Sequence, residues 1–231
     1  METLYDLVND LPESAELRAP PREYNRRELR QTAFKTGNFL SHRGVHKGAT
    51  VAVADDNAPE AVLAFLGATL LGGRVRFAAT GEVDARAYVA PTHTLSDVSL
   101  PAGGQYVGYG DRPNDPNHAH FERDVWSENP AFPPARFDGD TPALVTESDA
   151  YTHAHLLAAA RTVEYDADDV VAVRAPLAEP GTVVSGVVAP LLAGAAILLP
   201  SDDATGTVAV TTDDDAPEDR TVSPSKVSER L

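Results

Sequence analysis

The chain has no cysteine, one methionine, one tryptophan and only three lysines, Lys35, Lys47 and Lys226. Without thiols there can be no disulfide, no thiolate metal site and no Cys nucleophile. Positive charge is scarce: 19 Lys plus Arg face 35 Asp plus Glu, for a formal net charge of −16. Nucleic acid needs a cationic face, so a phosphate-backbone partner is not expected. An acidic, Lys-poor surface stays hydrated when salt screens charge, which fits a salt-rich cytoplasm. Long hydrophobic runs are also lacking. The most apolar stretch, Val183 to Leu199, is broken by Pro190 and two glycines and falls short of a membrane span, so it reads as buried core. The first residues, METLYDLVNDLPESAEL, have no basic region and no long apolar segment, so no signal peptide is expected. No Gly-x-Ser-x-Gly elbow is present and no Ser/His/Asp triad is readable, so no catalytic residue is assigned. These absences predict a cytoplasmic protein with no membrane partner.

What is present is an α/β rhythm. The 231 residues, 42% of them hydrophobic, suffice for one large domain or two small ones. Residues 1–23 read as a helical arm ending in APPRE. Asn25 and Glu28 make a capping box before a helix whose apolar face carries Leu29, Ala33, Phe34, Gly37 and Leu40, and Gly44 ends it. GATVAVADD reads as a strand, the segment from Asn57 to Gly73 as a helix with Pro59 near its start, and RVRFAA as the next strand. This places a first βα subdomain at 24–90, with a parallel sheet. Residues 91–142 are rich in Pro, Gly, Asn and Asp and read as a loop-rich connection with one or two short strands. A second βα subdomain follows at 143–200. It comprises the strand ALVT, a helix with Thr152 as its N-cap, the strand DDVVAVRAP, a small-residue helix and the strand AAILLP. Residues 201–231 read as an acidic polar tail with one short strand in TVAV and a loose end.

Two blocks, taken together, resemble the adenylate-forming enzymes: the acyl-CoA and acetyl-CoA synthetases and AMP-dependent ligases. The first block carries Tyr24, Glu28-Leu29, Gly44-Val45, Gly48, Asn57, Glu60 and Gly72 in the order of that family's amino-terminal block. The second carries Thr152-His153, Pro176-Leu177 and the Pro-Leu-Leu-x-Gly-Ala segment from Pro190. The resemblance covers most of residues 24–200. It implies an α/β fold matching part of the amino-terminal domain, with two βα subdomains and no carboxy-terminal lid domain. It also implies ATP or AMP, Mg2+ and CoA as the ligands to consider. By position it puts Thr146, Ser148, Thr152 and His153 on the nucleotide side, and Ala178, Glu179 and Gly181 beside the acyl pocket. The partners it suggests are a full-length synthetase paralogue or a second copy of the chain.

The departures from the family matter as much. The family places a Ser/Thr- and Gly-rich loop ending in Pro-Lys-Gly between the strand and the Thr-His helix, where it holds the ATP phosphates. Here that space holds only ESDAY, with no glycine or lysine and with Glu147 and Asp149 in it. Carboxylates repel a polyphosphate. Where the family has an aromatic residue and then His, this chain has Ala178 and Glu179. The family's adenine motif and its catalytic Lys belong to regions after the point matched by Leu231. The expectation is therefore a synthetase-like binding or regulatory module without catalysis. The alternatives are a residual ATP-dependent acid–CoA ligase completing its site with a partner chain, or a structural homo-oligomer.

The remaining candidates read plainly. His153 and His155 are expected as polar surface residues near a helix start capped by Thr152. His118 and His120, with Asp115 or Glu122, have a spacing that would suit Zn2+ or Ni2+, but they read as loop histidines, and no metal site is assigned. Asp pairs such as Asp55-Asp56, Asp168-Asp169 and Asp202-Asp203 read as solvated surface. Lys226 reads as an ordinary tail lysine. Trp126 is expected to anchor the long connection to the core.

Overall fold

The computed structural model describes residues 1–201, 203–213 and 215–231, so Asp202 lies outside the described residues. The chain divides into two compact units. One comprises Met1–Arg30, Asn57–Pro59 and Tyr151–Leu231, the other Gln31–Asp56 and Glu60–Ala150.

Helix α1 (Leu4–Asn9) starts at a capping box: Thr3 accepts from the Asp6 amide, and the Asp6 carboxylate accepts from the Thr3 amide. The rest of the expected helical arm is a hairpin, β1 (Glu16–Ala19) and β2 (Arg22–Tyr24), turning at Pro20-Pro21. The capping box at Asn25 and Glu28 forms as the spacing predicts, with bonds of 3.1 and 3.2 Å, and opens α2 (Arg26–His42). Next come β3 (Thr50–Val53), α3 (Pro59–Thr69) and β4 (Arg74–Phe77). They are followed by β5 (Gly81–Glu82), β6 (Ala87–Pro91), β7 (Val98–Ser99), β8 (Gln105–Tyr109) and β9 (Ala119–His120). A short α4 (Phe121–Trp126) leads to β10 (Pro142–Val145) and β11 (Ala150–Thr152), and then to α5 (His153–Ala160). After β12 (Val170–Val173), the small-residue helix is continuous in three parts: α6 (Pro180–Val183), a π turn over Val184–Val188, and α7 (Ala189–Ala193). The chain then forms β13 (Ala196–Leu198), β14 (Val208–Val210), β15 (Arg220–Val222) and α8 (Pro224–Ser228).

The first unit is built on a six-stranded sheet in the order β15-β14-β12-β13-β1-β2, parallel except for the β1–β2 hairpin. Strand β1 is drawn in beside β13, with Leu17 opposite Ile197, so the amino-terminal segment is part of the sheet. Helices α1, α5 and α6–α7 bury Leu4, Leu7, Leu156, Leu157, Val183 and Leu191. Ser185 is packed in the core and donates to the Gly181 carbonyl at 2.6 Å. The π turn frees the Ser185 carbonyl, which accepts from the Tyr165 hydroxyl at 3.0 Å. The expected loose end is ordered. Strand β15 pairs with β14, and α8 packs on α6 with Pro224 and Val227 buried. Two ion pairs tie this edge down, Arg174 with Glu218 and Arg220 with Asp169.

The second unit is built on six strands in the order β10-β4-β3-β6-β8-β9. The pairs from β10 through β9 are parallel. Continuous apolar runs such as Val51–Val53 are buried on both faces, as parallel sheets require. Three expectations are corrected here. Residues 91–142 do not connect two subdomains. They belong to the second unit, because β8 pairs with β6 along five residues and α4 packs beside it. Strand β10 pairs with β4, so it too belongs to the second unit. Trp126 does not anchor anything in the core. It is 81% exposed, and Phe121 and Val125 are the buried residues of α4.

Candidate functional site

The resemblance puts its nucleotide-side candidates on the segment from Pro142 to Ala160. Strand β10 ends at Val145, β11 starts at Ala150, and four residues make the turn between them. The Thr146 amide donates to the Asp149 carbonyl at 2.9 Å and closes it. The Thr146 hydroxyl oxygen accepts from the amides of Ser148 and Asp149 at 3.3 and 3.0 Å. The Ser148 hydroxyl donates to the Asp149 carboxylate. Three amide N–H groups and the Ser148 hydroxyl are therefore spent as donors within the turn, and the Thr146 hydroxyl oxygen serves there as an acceptor. A phosphate cradle needs such donors directed at the ligand. The carboxylates that remain, Glu147 and Asp149, oppose a polyanion. Glu147 is held by Arg76 at 2.9 Å, which takes up a nearby cation as well.

Thr152 and His153 lie at the start of α5 in the first unit. Thr152 caps α5 and accepts from the His155 amide at 3.2 Å. His155 is exposed, as expected, but His153 is not a surface residue. It is completely buried, and its Nδ1 accepts from the Leu4 amide at 3.2 Å. The imidazole thus holds the first turn of α1 against α5 and offers no edge to a ligand on that side. Replacing His153 by Leu removes this acceptor and is expected to cost about 1–3 kcal/mol. His155→Ala should stay within about 0.5 kcal/mol. Urea unfolding of the two variants distinguishes them. Equal, negligible losses would show that α1 is held without the imidazole.

The three acyl-side residues lie together at the start of α6. Glu179 is half-buried just ahead of Pro180, and burial pushes its carboxyl pKa up. Gly181 is in direct contact with α8. Its amide donates to the Ser228 hydroxyl at 3.0 Å, and a Cβ built there would sit 1.9 Å from the Pro224 carbonyl oxygen. Only glycine permits this approach. The position that would border an acyl pocket is filled by the chain's own α8.

Two grooves open elsewhere. One, of about 450 Å3 in the first unit, runs along Thr162, Val163, Ser223, Lys226, Val227 and Arg230. The other, of about 560 Å3 in the second unit, is lined by Glu82, Val83, Asp84, Ser99, Leu100 and Pro101. Neither is lined by any of the seven candidate residues. Among the described residues no cluster of His, Asp and Glu has the makings of a metal site, and no helix is long and apolar enough to cross a membrane. His120 instead places its Nε2 3.2 Å from the Gly110 carbonyl oxygen, and Glu122 accepts from the Gly110 amide at 2.7 Å.

One polar pair was not foreseen from the sequence. At the carboxyl end of β8 the buried Tyr109 hydroxyl donates to Asp56 at 2.9 Å. Burial, and then the Asp56 charge, push the phenol pKa up, so it stays a neutral donor. The carboxyl ends of parallel strands are where α/β sheets carry their sites, and this rule alone could have pointed to Tyr109.

No protein-family model matches the chain, and no curated protein sequence matches it. Solved structures do. The anthranilate CoA ligase AuaEII, in complex with anthranoyl-AMP, superposes with a TM-score of 0.75 at 16% identity, over 90% of this chain and 49% of its own. A benzoate CoA ligase from Burkholderia xenovorans gives 0.72 at 20% identity, over 91% and 50%. Apo MatB from Rhodopseudomonas palustris gives 0.69 at 15%, over 87% and 46%. The fold is that of the adenylate-forming ligases. The chain spans about half the length of the ligases it matches. At these identities the likeness concerns fold, and the α/β architecture with parallel sheets is the part of the resemblance it bears out.

Proposed function

We propose that the chain is a relative of the acyl-CoA and acetyl-CoA synthetases that works as a binding or regulatory module without catalysing acyl-adenylate formation. The observation that supports this most is the closed turn at 146–149. Phosphoryl-group chemistry relies on donors and cations preset around the transferring phosphate. Here the matching segment directs its amides inward and presents two carboxylates. The occupation of Gly181 by α8 supports the same reading on the acyl side. Its partner in this reading is a full-length synthetase paralogue, and its setting is a salt-rich cytoplasm, in keeping with the acidic, Lys-poor composition.

Calorimetric titration of ATP, AMP and CoA, with magnesium and at molar salt, tests it. No heat with ATP or AMP is expected. Micromolar binding of either nucleotide would sink the proposal and favour a ligase that completes its site with another chain. ATP-dependent pyrophosphate release with any carboxylic acid would do the same.

A further inference from the structure

The groove beside β15 and α8 reverses the charge balance of the chain that forms it. It lies wholly within the first unit and measures about 450 Å3. The chain carries 19 Lys plus Arg against 35 Asp plus Glu, yet Lys226 and Arg230 line this groove against a single carboxylate, Glu164. The two cations stand four residues apart, and like charges at that spacing repel. The other arginines of this edge are matched with acids, Arg174 with Glu218 and Arg220 with Asp169. Among the described residues neither Lys226 nor Arg230 makes an ion pair. Arg230 is fixed by neutral acceptors instead: its Nη1 donates to the Thr162 carbonyl and hydroxyl oxygens at 3.2 and 2.8 Å. The guanidinium is thus held in place with its charge uncompensated. Thr221 and Ser223 add hydroxyls to the lining, and Val163, Val222 and Val227 add apolar wall.

We propose that this groove binds the phosphate group of a small phosphomonoester, held by Lys226 and Arg230, with the body of the ester against the valines. An ammonium and a guanidinium hold phosphate as a point charge and as a fork of donors, and hydroxyls complete such a donor set. Two cations match one phosphomonoester, which is close to a dianion at neutral pH. Glu164 is exposed in the same lining and opposes any further charge, so a polyphosphate is disfavoured. None of the seven residues that the resemblance puts beside a nucleotide or an acyl group lines this groove. The proposal does not rest on the absence of catalysis.

Titration of inorganic phosphate and of phenyl phosphate tests it, at constant ionic strength balanced with KCl and followed by backbone amide NMR shifts. Both should give saturable shifts confined to residues 162–164 and 221–230, in the millimolar range. Phenyl phosphate should bind about threefold or more tighter, through the valines; equal affinities would make free phosphate the ligand. Lys226→Gln should weaken either probe about fivefold or more, with the thermal midpoint in the absence of phosphate unchanged, since the lysine is exposed and unpaired. Arg230→Lys should also weaken it, by losing the fork while keeping the charge. Glu164→Gln should act in the opposite direction and tighten binding. The absence of saturable shifts overturns the proposal. So do shifts scattered over the surface, or binding that Lys226→Gln and Glu164→Gln leave unchanged, either of which would mean adventitious ion binding only. Nucleotide binding in the micromolar range that survives Lys226→Gln would strike the non-catalytic reading and leave this groove unaffected.

Discussion

Arg174→Met is expected to destabilise the protein by about 3–5 kcal/mol, the cost of leaving a buried charge without its partner. The Glu218 side chain is wholly buried, and both its oxygens are engaged by the Arg174 guanidinium at 2.7 and 2.9 Å. The same carboxylate accepts from the Gly206 amide at 3.0 Å, and Arg174 also donates to the Ala204 carbonyl at 2.9 Å. One bidentate pair thus fixes the approach to β14 and the loop before β15. Removing Arg174 leaves Glu218 either ionised in the interior or forced out, taking the loop with it. Arg174→Met with Glu218→Leu should cost less than Arg174→Met alone, because no orphan charge remains. Urea unfolding of both variants is the measurement. A single-variant loss below about 1 kcal/mol would mean the pair is as dispensable as a surface one.

The same lock gives the stability a defined acid limb. Burial by itself raises the Glu218 pKa, but the Arg174 bonds and the Gly206 amide outweigh it, and the net shift is downward. Asp169 behaves alike: burial opposes ionisation, while the Asp166 amide, the Thr207 hydroxyl and Arg220 outweigh it. A carboxylate with a lowered folded pKa contributes stability above its unfolded pKa, near 4 for Asp and Glu, and loses it as pH falls through the folded value. The wild type should therefore weaken below about pH 4, with a shallower slope in Arg174→Met.

Much of the fold is written locally. Short apolar runs marked β3, β12 and β13. The capping residues Asn25 and Thr152 marked two helix starts, because a cap is satisfied within three residues. What was hidden depends on distant partners. The alternating burial of Glu16–Ala19 is a weak strand signal until β13 lies beside it. Strand β8 carries Gly108 and two tyrosines within a Pro- and Gly-rich stretch, so its five-residue pairing with β6 was masked by composition. The tail looked loose because it read as solvated acidic surface, while its Glu218 is in fact paired with Arg174 and its Arg220 with Asp169, both far back along the chain. The site divides in the same way. The turn at 146–149 was legible because it is short and lacks glycine. His153 was not, because its partner Leu4 is 149 residues away.

Gly181→Ala should cost about 3 kcal/mol, at the upper end of what overpacking does. In an open helix this change normally gains stability, by roughly 0.5–1 kcal/mol, so the sign itself is diagnostic. Here the new methyl would sit 1.9 Å from the Pro224 carbonyl oxygen and 2.7 Å from the Ser228 hydroxyl. The obstacle is backbone, and it has little room to retreat: β15 is paired with β14 just before it, and Val227 is buried just after. Helix α8 should therefore unseat first. Hydrogen exchange should rise in residues 220–231 before the β12–β13 core responds, and the thermal midpoint should fall by about 6–12 °C. The same variant bears on the site, because α8 covers the position that the resemblance puts beside an acyl pocket. If Gly181→Ala proved neutral or stabilising, α8 would not be seated on α6. The acyl-side reading of Ala178, Glu179 and Gly181 would then return as a binding surface. If it unseats α8 as expected, the covering helix is part of the folded core, and a ligand at that place must first displace it.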